Sequence, residues 1–397
     1  MGKRDRKQFP FINTAVCAVA AISAYLAVLL LTHSDYKSHI KAAIRKIDGE
    51  SSFFVNLYQY LVAFGIKFFQ GEPVIVAAVV NGTLEVLYVA ALSFILSKWL
   101  PSERPWYLRL LSICCVVFSS APFFVFQGVF YRGISGINTW HNPTSYAIKP
   151  FIVMSFFLIV VLFDRASAAK EVEEVLPQKV FRKDGVVLFL ALMASLYMMT
   201  YGKISGLAVL APATLVMAVF WWGKSKWSAK RLIFCLKVAA MFIPALILFS
   251  LHYSMYFPDG GEAKAVYVGF SRLFSDETPM ILLRTVWILM LPLFITLTRI
   301  RSIVRNKGFV LAWLVYIFAF FEHYMFQEIG PREGHGNTSW GRHYALVLLL
   351  VMSIVEINKD WHERKITSRI GFAIMLVYTI SGLVFLLLLL TKGDYYI

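Results

Sequence analysis

A chain of 397 residues with 59% hydrophobic and 16% charged residues, and a mean hydropathy of +0.67, is not a soluble globular protein, in which about a quarter of residues are charged. The formal charge of +16 comes from basic clusters that punctuate apolar runs, so it reads as a topology signal and contact with anionic lipid, not as a nucleic-acid footprint. The four cysteines, Cys17, Cys114, Cys115 and Cys235, all lie within apolar runs, which excludes a disulfide framework and a Cys-based zinc site.

Apolar runs of the length needed to cross a ~30 Å hydrocarbon layer recur along the whole chain. Taken between charged clusters they give about eleven spans, near 12–32, 74–97, 109–128, 150–164, 185–201, 204–222, 232–252, 280–298, 309–326, 343–357 and 370–391. The fold expected is an all-α polytopic integral membrane protein, one domain over 1–397, with amphipathic helices in its first outer loop. The run that opens the chain is longer than a signal-peptide core and no small-residue cleavage site follows, so it is an anchor.

Lys3-Arg4-Asp5-Arg6-Lys7 precedes the first span, and the stretches 98–109, 164–184, 224–231, 299–307 and 359–369 are basic too. The positive-inside rule then puts the amino terminus in the cytoplasm and the carboxyl end outside; a plasma membrane is the expected location. Outward segments are 33–73, 129–149, the turn at Gly202, 253–279 and 327–342, and these carry the chemically varied residues. There is no internal repeat, Walker A motif or dinucleotide glycine pattern, so an ATP-driven pump is not expected.

The first outer loop opens with His33-Ser34-Asp35-Tyr36-Lys37-Ser38-His39. Residues 36–48 place Ile40, Ala43, Ile44 and Ile47 on one face with Lys37, Lys41, Arg45, Lys46 and Asp48 elsewhere, which describes a short helix on the membrane surface. Asp35 either caps that helix or acts as a catalytic carboxylate, with His39 on the same side one turn later. The segment from Phe53 to Phe69 reads as a second interfacial helix.

His141 and Asn142 stand before Pro143, which disfavours helix at Asn142 and predicts an ordered turn before a span beginning near Pro150. The most polar outer stretch holds Glu328, Arg332, Glu333, His335, Asn337, Trp340 and Arg342 among four glycines, which suits a binding loop whose arginines can clamp phosphate oxygens. Arg284, near the outer end of its span, either snorkels or faces an anionic headgroup. Asn81 and Glu85, one turn apart inside a span, are either a buried hydrogen-bonded pair or an ion relay. No zinc-protease histidine motif occurs; a hard divalent cation, Mg or Mn, held by Asp35 and other carboxylates is compatible with the sequence.

An inside amino terminus, one span, an outer loop with an Asp at its start followed by surface helices, many further spans and a late polar outer loop together resemble the GT-C class of membrane glycosyltransferases. The Ser34-Asp35-Tyr36 to His39 string is similar to the pattern that opens the first loop in several bacterial members. The resemblance implies that Asp35 serves as general base towards an acceptor, or as a metal ligand. It also implies a polyprenyl-phosphate-linked sugar donor and a glycan or lipid acceptor. Arg284, Arg332 or Arg342 would then meet the donor phosphate, and His39 or His335 the sugar or phosphate. The chain lacks a second acidic residue beside Asp35 and the tryptophan-tryptophan-aspartate motif of oligosaccharyltransferases. Two alternatives stand beside this: an O-antigen-type polysaccharide polymerase or ligase using the 328–343 cluster, and a lipid-linked saccharide transporter using Asn81 and Glu85.

Overall fold

The computed structural model describes residues 9–31, 34–49, 56–118, 140, 142–168, 183–256, 264–267, 269, 278–329, 337–359, 361 and 365–392. The elements in chain order are α1 (Phe9–Leu29), α2 (Tyr36–Ile47), α3 (Leu57–Phe69), α4 (Pro73–Trp99), α5 (Pro105–Val117), α6 (Pro143–Ala168), α7 (Lys183–Gly202), α8 (Ser205–Gly223), α9 (Ala229–Ala240) and α10 (Ile243–Tyr256). They continue with β1 (Lys264–Tyr267), α11 (Thr278–Ile288), α12 (Met290–Thr298), α13 (Ile300–Ile303), α14 (Lys307–Met325), β2 (Phe326–Ile329), a 3-10 turn (Asn337–Ser339), α15 (Trp340–Lys359) and α16 (Ile366–Lys392). Among the described residues seven helices are long and apolar enough to cross a membrane, or eight if the bent pair α9–α10 is one span. The protein is a helical, multi-pass membrane protein. Among the described residues a two-stranded antiparallel ribbon accompanies the helices, pairing Lys264 with Ile329 and Tyr267 with Phe326.

Two compact units divide the chain: residues 1–150, 280–298 and 353–397 form one, and residues 151–279 and 299–352 the other. In the first, α1 lies along α4 because small residues face each other. A Cβ on Gly82 would come within 2.9 Å of the Ala20 carbonyl oxygen and 3.4 Å of the Ala24 Cβ, the close approach that small residues permit in membranes. The amphipathic helix α2 buries Tyr36, Ile40 and Ala43 while Lys37, Lys41, Arg45 and Lys46 are exposed, as its pattern requires.

Helix starts follow local chemistry. Asn56 and Gln59 form a reciprocal capping box on α3 (3.0 and 3.1 Å), and Glu72 caps α4 through the Ile75 amide at 2.9 Å with Pro73 as its first residue. Prolines break two of the expected spans. Pro244 has no N–H for the Ala240 carbonyl, and the run near 232–252 is two helices bent by 42°. Pro292 likewise leaves the Ile288 carbonyl without its helical donor, and the chain divides into α11 and α12 there. The Tyr378 hydroxyl on α16 supplies the missing donor, reaching Ile288 O at 2.9 Å and Trp287 O at 3.0 Å.

The second unit packs α8 against α14, α7 against α10, and Phe163 edge to face with both Trp221 and Phe234. Asp164 and Lys307 are bridged at 2.8 Å.

Candidate functional site

The start of α6 corrects the sequence reading. The helix begins at Pro143, seven residues before Pro150, because Pro143 suits a first helical position and Asn142 caps it. Asn142 Oδ1 accepts from the Ser145 amide (3.1 Å), the Ser145 hydroxyl (3.2 Å) and the Thr144 hydroxyl (2.6 Å). Those donors fix which side of the amide is oxygen, so Nδ2 faces the other way and donates to Asp35 Oδ2 at 2.6 Å.

Asp35 stands at the cap position of α2, but its backbone is already helical and its side chain makes no capping bond. The half-buried carboxylate is turned to Asn142 instead, at the amino-terminal end of α6, where the helix dipole favours negative charge. Asn142 occupies Oδ2, and among the described residues no hydrogen-bond donor meets Oδ1. Next to it, the buried Tyr36 hydroxyl donates to the Trp140 carbonyl at 3.0 Å, and the Trp140 ring stacks on Phe385 of α16 at 5.9 Å. Burial, with the Tyr58 phenol as neighbour, pushes the Tyr36 phenol well above its ordinary range.

His39 is held by α3. Its Nδ1 lies 2.8 Å from Gln59 Nε2, and its ring meets Tyr58 edge-on at 6.3 Å. Gln59 Oε1 is already committed to the Asn56 amide, so Gln59 Nε2 donates, Nδ1 accepts and the proton sits on Nε2.

Two helical turns beyond Asn142 on the same face of α6, ~10 Å along its axis, comes Lys149. It closes the expected outward segment 129–149, yet it is 2% exposed. Its ammonium lies 4.7 Å from the Tyr146 ring centroid and 5.5 Å from that of Tyr88 on α4. Glu85, fully buried one turn before Tyr88, is within electrostatic reach, but neither carboxylate oxygen has a hydrogen-bond partner. Asn81, one turn earlier on α4, donates through Nδ2 to the Ser23 carbonyl of α1 at 2.7 Å, and its Oδ1 is unpartnered.

In the other unit, the start of α15 gathers a second polar cluster. Lys203, in the α7–α8 turn, stands 3.5 Å from the Trp340 ring centroid. Arg342 Nη1 donates to the Tyr324 hydroxyl at 3.2 Å, and His343 meets Trp340 at 5.3 Å. Glu322 Oε2 on α14 is buried without a hydrogen-bond partner, 2.5 Å from where a Cβ on Gly341 would sit. Of the other expected site residues, Arg284 falls in α11, Glu328 in β2 opposite Ala265 and Asn337 in the 3-10 turn. His141, Arg332, Glu333 and His335 lie outside the described residues.

Among the described residues no group of three or more His, Cys, Asp or Glu side chains is placed to hold a metal ion. Asp35 contributes one carboxylate, and Asn142 presents it with N–H, a donor where a cation needs oxygen. No family model matches the chain, and neither the curated proteins nor the solved structures contain a match to it.

Proposed function

We propose that the protein is a membrane glycosyltransferase that moves a sugar from a polyprenyl-phosphate-linked donor to a cell-surface glycan or lipid acceptor on the outer face of a plasma membrane. The observation that carries this reading is the Asp35–Asn142 contact. A first-loop carboxylate is released from helix capping and oriented through one oxygen by an amide that is itself fixed by three donors, and among the described residues no donor meets Oδ1, which can take an incoming proton. In this reading Asp35 Oδ1 takes the proton of the acceptor hydroxyl as that oxygen attacks the anomeric carbon, and the bond to the donor phosphate breaks. The proposed topology keeps the amino terminus inside and about eleven crossings, with α2 and α3 lying on the outer surface.

The experiment compares consumption of polyprenyl-phosphate and polyprenyl-pyrophosphate sugars by purified wild type and Asp35→Asn. Donor binding retained with turnover lost by at least a hundredfold is expected. Full turnover in Asp35→Asn excludes Asp35 as the base.

The cluster at α15 favours a second reading, a polymerase or ligase of pyrophosphate-linked glycans. There two cationic side chains, Lys203 and Arg342, stand beside the aromatic rings of Trp340 and Tyr324, a combination suited to phosphate and saccharide. Loss of turnover in Arg342→Ala, with Asp35→Asn fully active, selects it.

A further inference from the structure

Glu85 on α4 and Lys149 in the first two turns of α6 are opposite charges, fully and almost fully buried, within the first unit. Water-free burial of a carboxylate is costly unless donors satisfy its oxygens, and here neither oxygen has one. The Lys149 ammonium therefore stands beyond hydrogen-bond distance from Glu85, held against the Tyr88 and Tyr146 rings. The Tyr88 hydroxyl and Asn81 Oδ1, on the same stripe of α4, are buried and equally unpartnered. Together these groups offer carboxylate and amide acceptors from α4, an ammonium donor from α6, and a phenol that does either.

The charges decide what fits. A cation placed there meets Lys149, and an anion meets Glu85. A hydroxyl satisfies both at once, because its oxygen accepts from the ammonium while its hydrogen donates to the carboxylate. We infer that Asn81, Glu85, Tyr88 and Lys149 form a buried hydroxyl-binding subsite, filled by water at rest and by a hydroxyl of a saccharide when one is bound. The saccharide half of the inference rests on the glycosyltransferase reading; the hydroxyl site itself does not.

The test uses the full chain in lipid nanodiscs and needs no turnover. Infrared difference spectra of wild type against Glu85→Gln and against Tyr88→Phe are recorded in ordinary and heavy-oxygen water. Octyl β-glucoside, below its micelle concentration, and its permethylated analogue, which has no O–H donor, are then added. Expected is an isotope-sensitive O–H band of bound water in wild type that is lost from both difference partners. Octyl β-glucoside should abolish that band and raise the wild-type melting midpoint by a few degrees, while the permethylated analogue does neither. A band that persists in octyl β-glucoside assigns the site to water alone and overturns the saccharide half. No band in wild type, together with equal glucoside effects on wild type and Tyr88→Phe, overturns the site altogether. Tyr88→Phe removes one hydroxyl and no charge, so it carries the test if Glu85→Gln does not fold. Asp35→Asn retaining turnover would sink the catalytic reading and leave the band untouched.

Discussion

Asn142 joins Asp35 at 2.6 Å across 107 residues of sequence, and the same amide caps α6 through its oxygen. One side chain thereby ties the start of a buried helix to the carboxylate that opens the first loop. The two jobs are separable, because Asp caps helices as well as Asn does but repels another carboxylate.

Asn142→Asp is therefore expected to keep the cap and misplace Asp35. Its melting midpoint should fall less than that of Asn142→Ala, which loses about 1 kcal/mol of capping. Turnover in the donor-consumption assay should nevertheless drop on the order of a hundredfold, the scale of a misplaced catalytic group. Equal turnover in Asn142→Asp and wild type would show that Asn142 only caps.

The Tyr36 phenol titrates above its ordinary value of 10.0 because burial disfavours the phenolate. The folded state then holds its proton where the unfolded chain releases it, so stability is complete below about pH 10 and falls as pH rises further. Tyr58 is shifted the same way by burial and adds to the loss. Unfolding midpoints between neutral and strongly alkaline pH should decline in wild type and decline less steeply in Tyr36→Phe. At neutral pH Tyr36→Phe should cost about 1 kcal/mol for the lost bond to Trp140.

Gly82 lets α4 approach α1 to the point where the Ala20 carbonyl oxygen is 2.9 Å from a hypothetical Cβ. A backbone oxygen cannot swing aside as a side chain can. Gly82→Ala should separate the helices and destabilise the protein by about 1–3 kcal/mol, and Gly82→Leu by more, read from unfolding in mixed micelles. Unchanged stability in Gly82→Leu would show that α1 does not need this approach.

The amphipathic helix α2 was legible residue by residue, because Ile40 and Ala43 fall on one face and the lysines on the other whatever they pack against. Helical, membrane-crossing character was legible from hydropathy alone. The proline breaks were visible as Pro244 and Pro292, but a hydropathy window averages over them, so α9–α10 and α11–α12 each read as one span. Lys149 escaped because a lysine beside Pro150 looks like a loop residue. What makes it part of a buried cluster is Glu85, a partner 64 positions away that no local pattern announces. Capping chemistry left Asp35 open between two jobs. Asp35 holds the cap position of α2 without capping it, and only the folded position of Asn142 reveals where its carboxylate is used.

Gly341 and Glu322 are in the same position as a lock and its bolt, and a double-mutant cycle tests them. A Cβ at Gly341 would sit 2.5 Å from Glu322 Oε2 and 2.6 Å from Val209 Cγ1, with Ala319 Cβ at 3.7 Å behind. Gly341→Ala must therefore displace both the buried carboxylate and a packed valine, at about 1–3 kcal/mol. Removing the carboxylate removes one of the two obstacles, so in Glu322→Ala the added methyl should cost less, with a coupling energy of about 1 kcal/mol or more. Adding Val209→Ala to that pair clears the second obstacle and should bring the cost of Gly341→Ala close to zero. Strict additivity of Gly341→Ala and Glu322→Ala would mean that α8, through Val209, carries the whole clash and that the Glu322 carboxylate moves away freely from the first turn of α15.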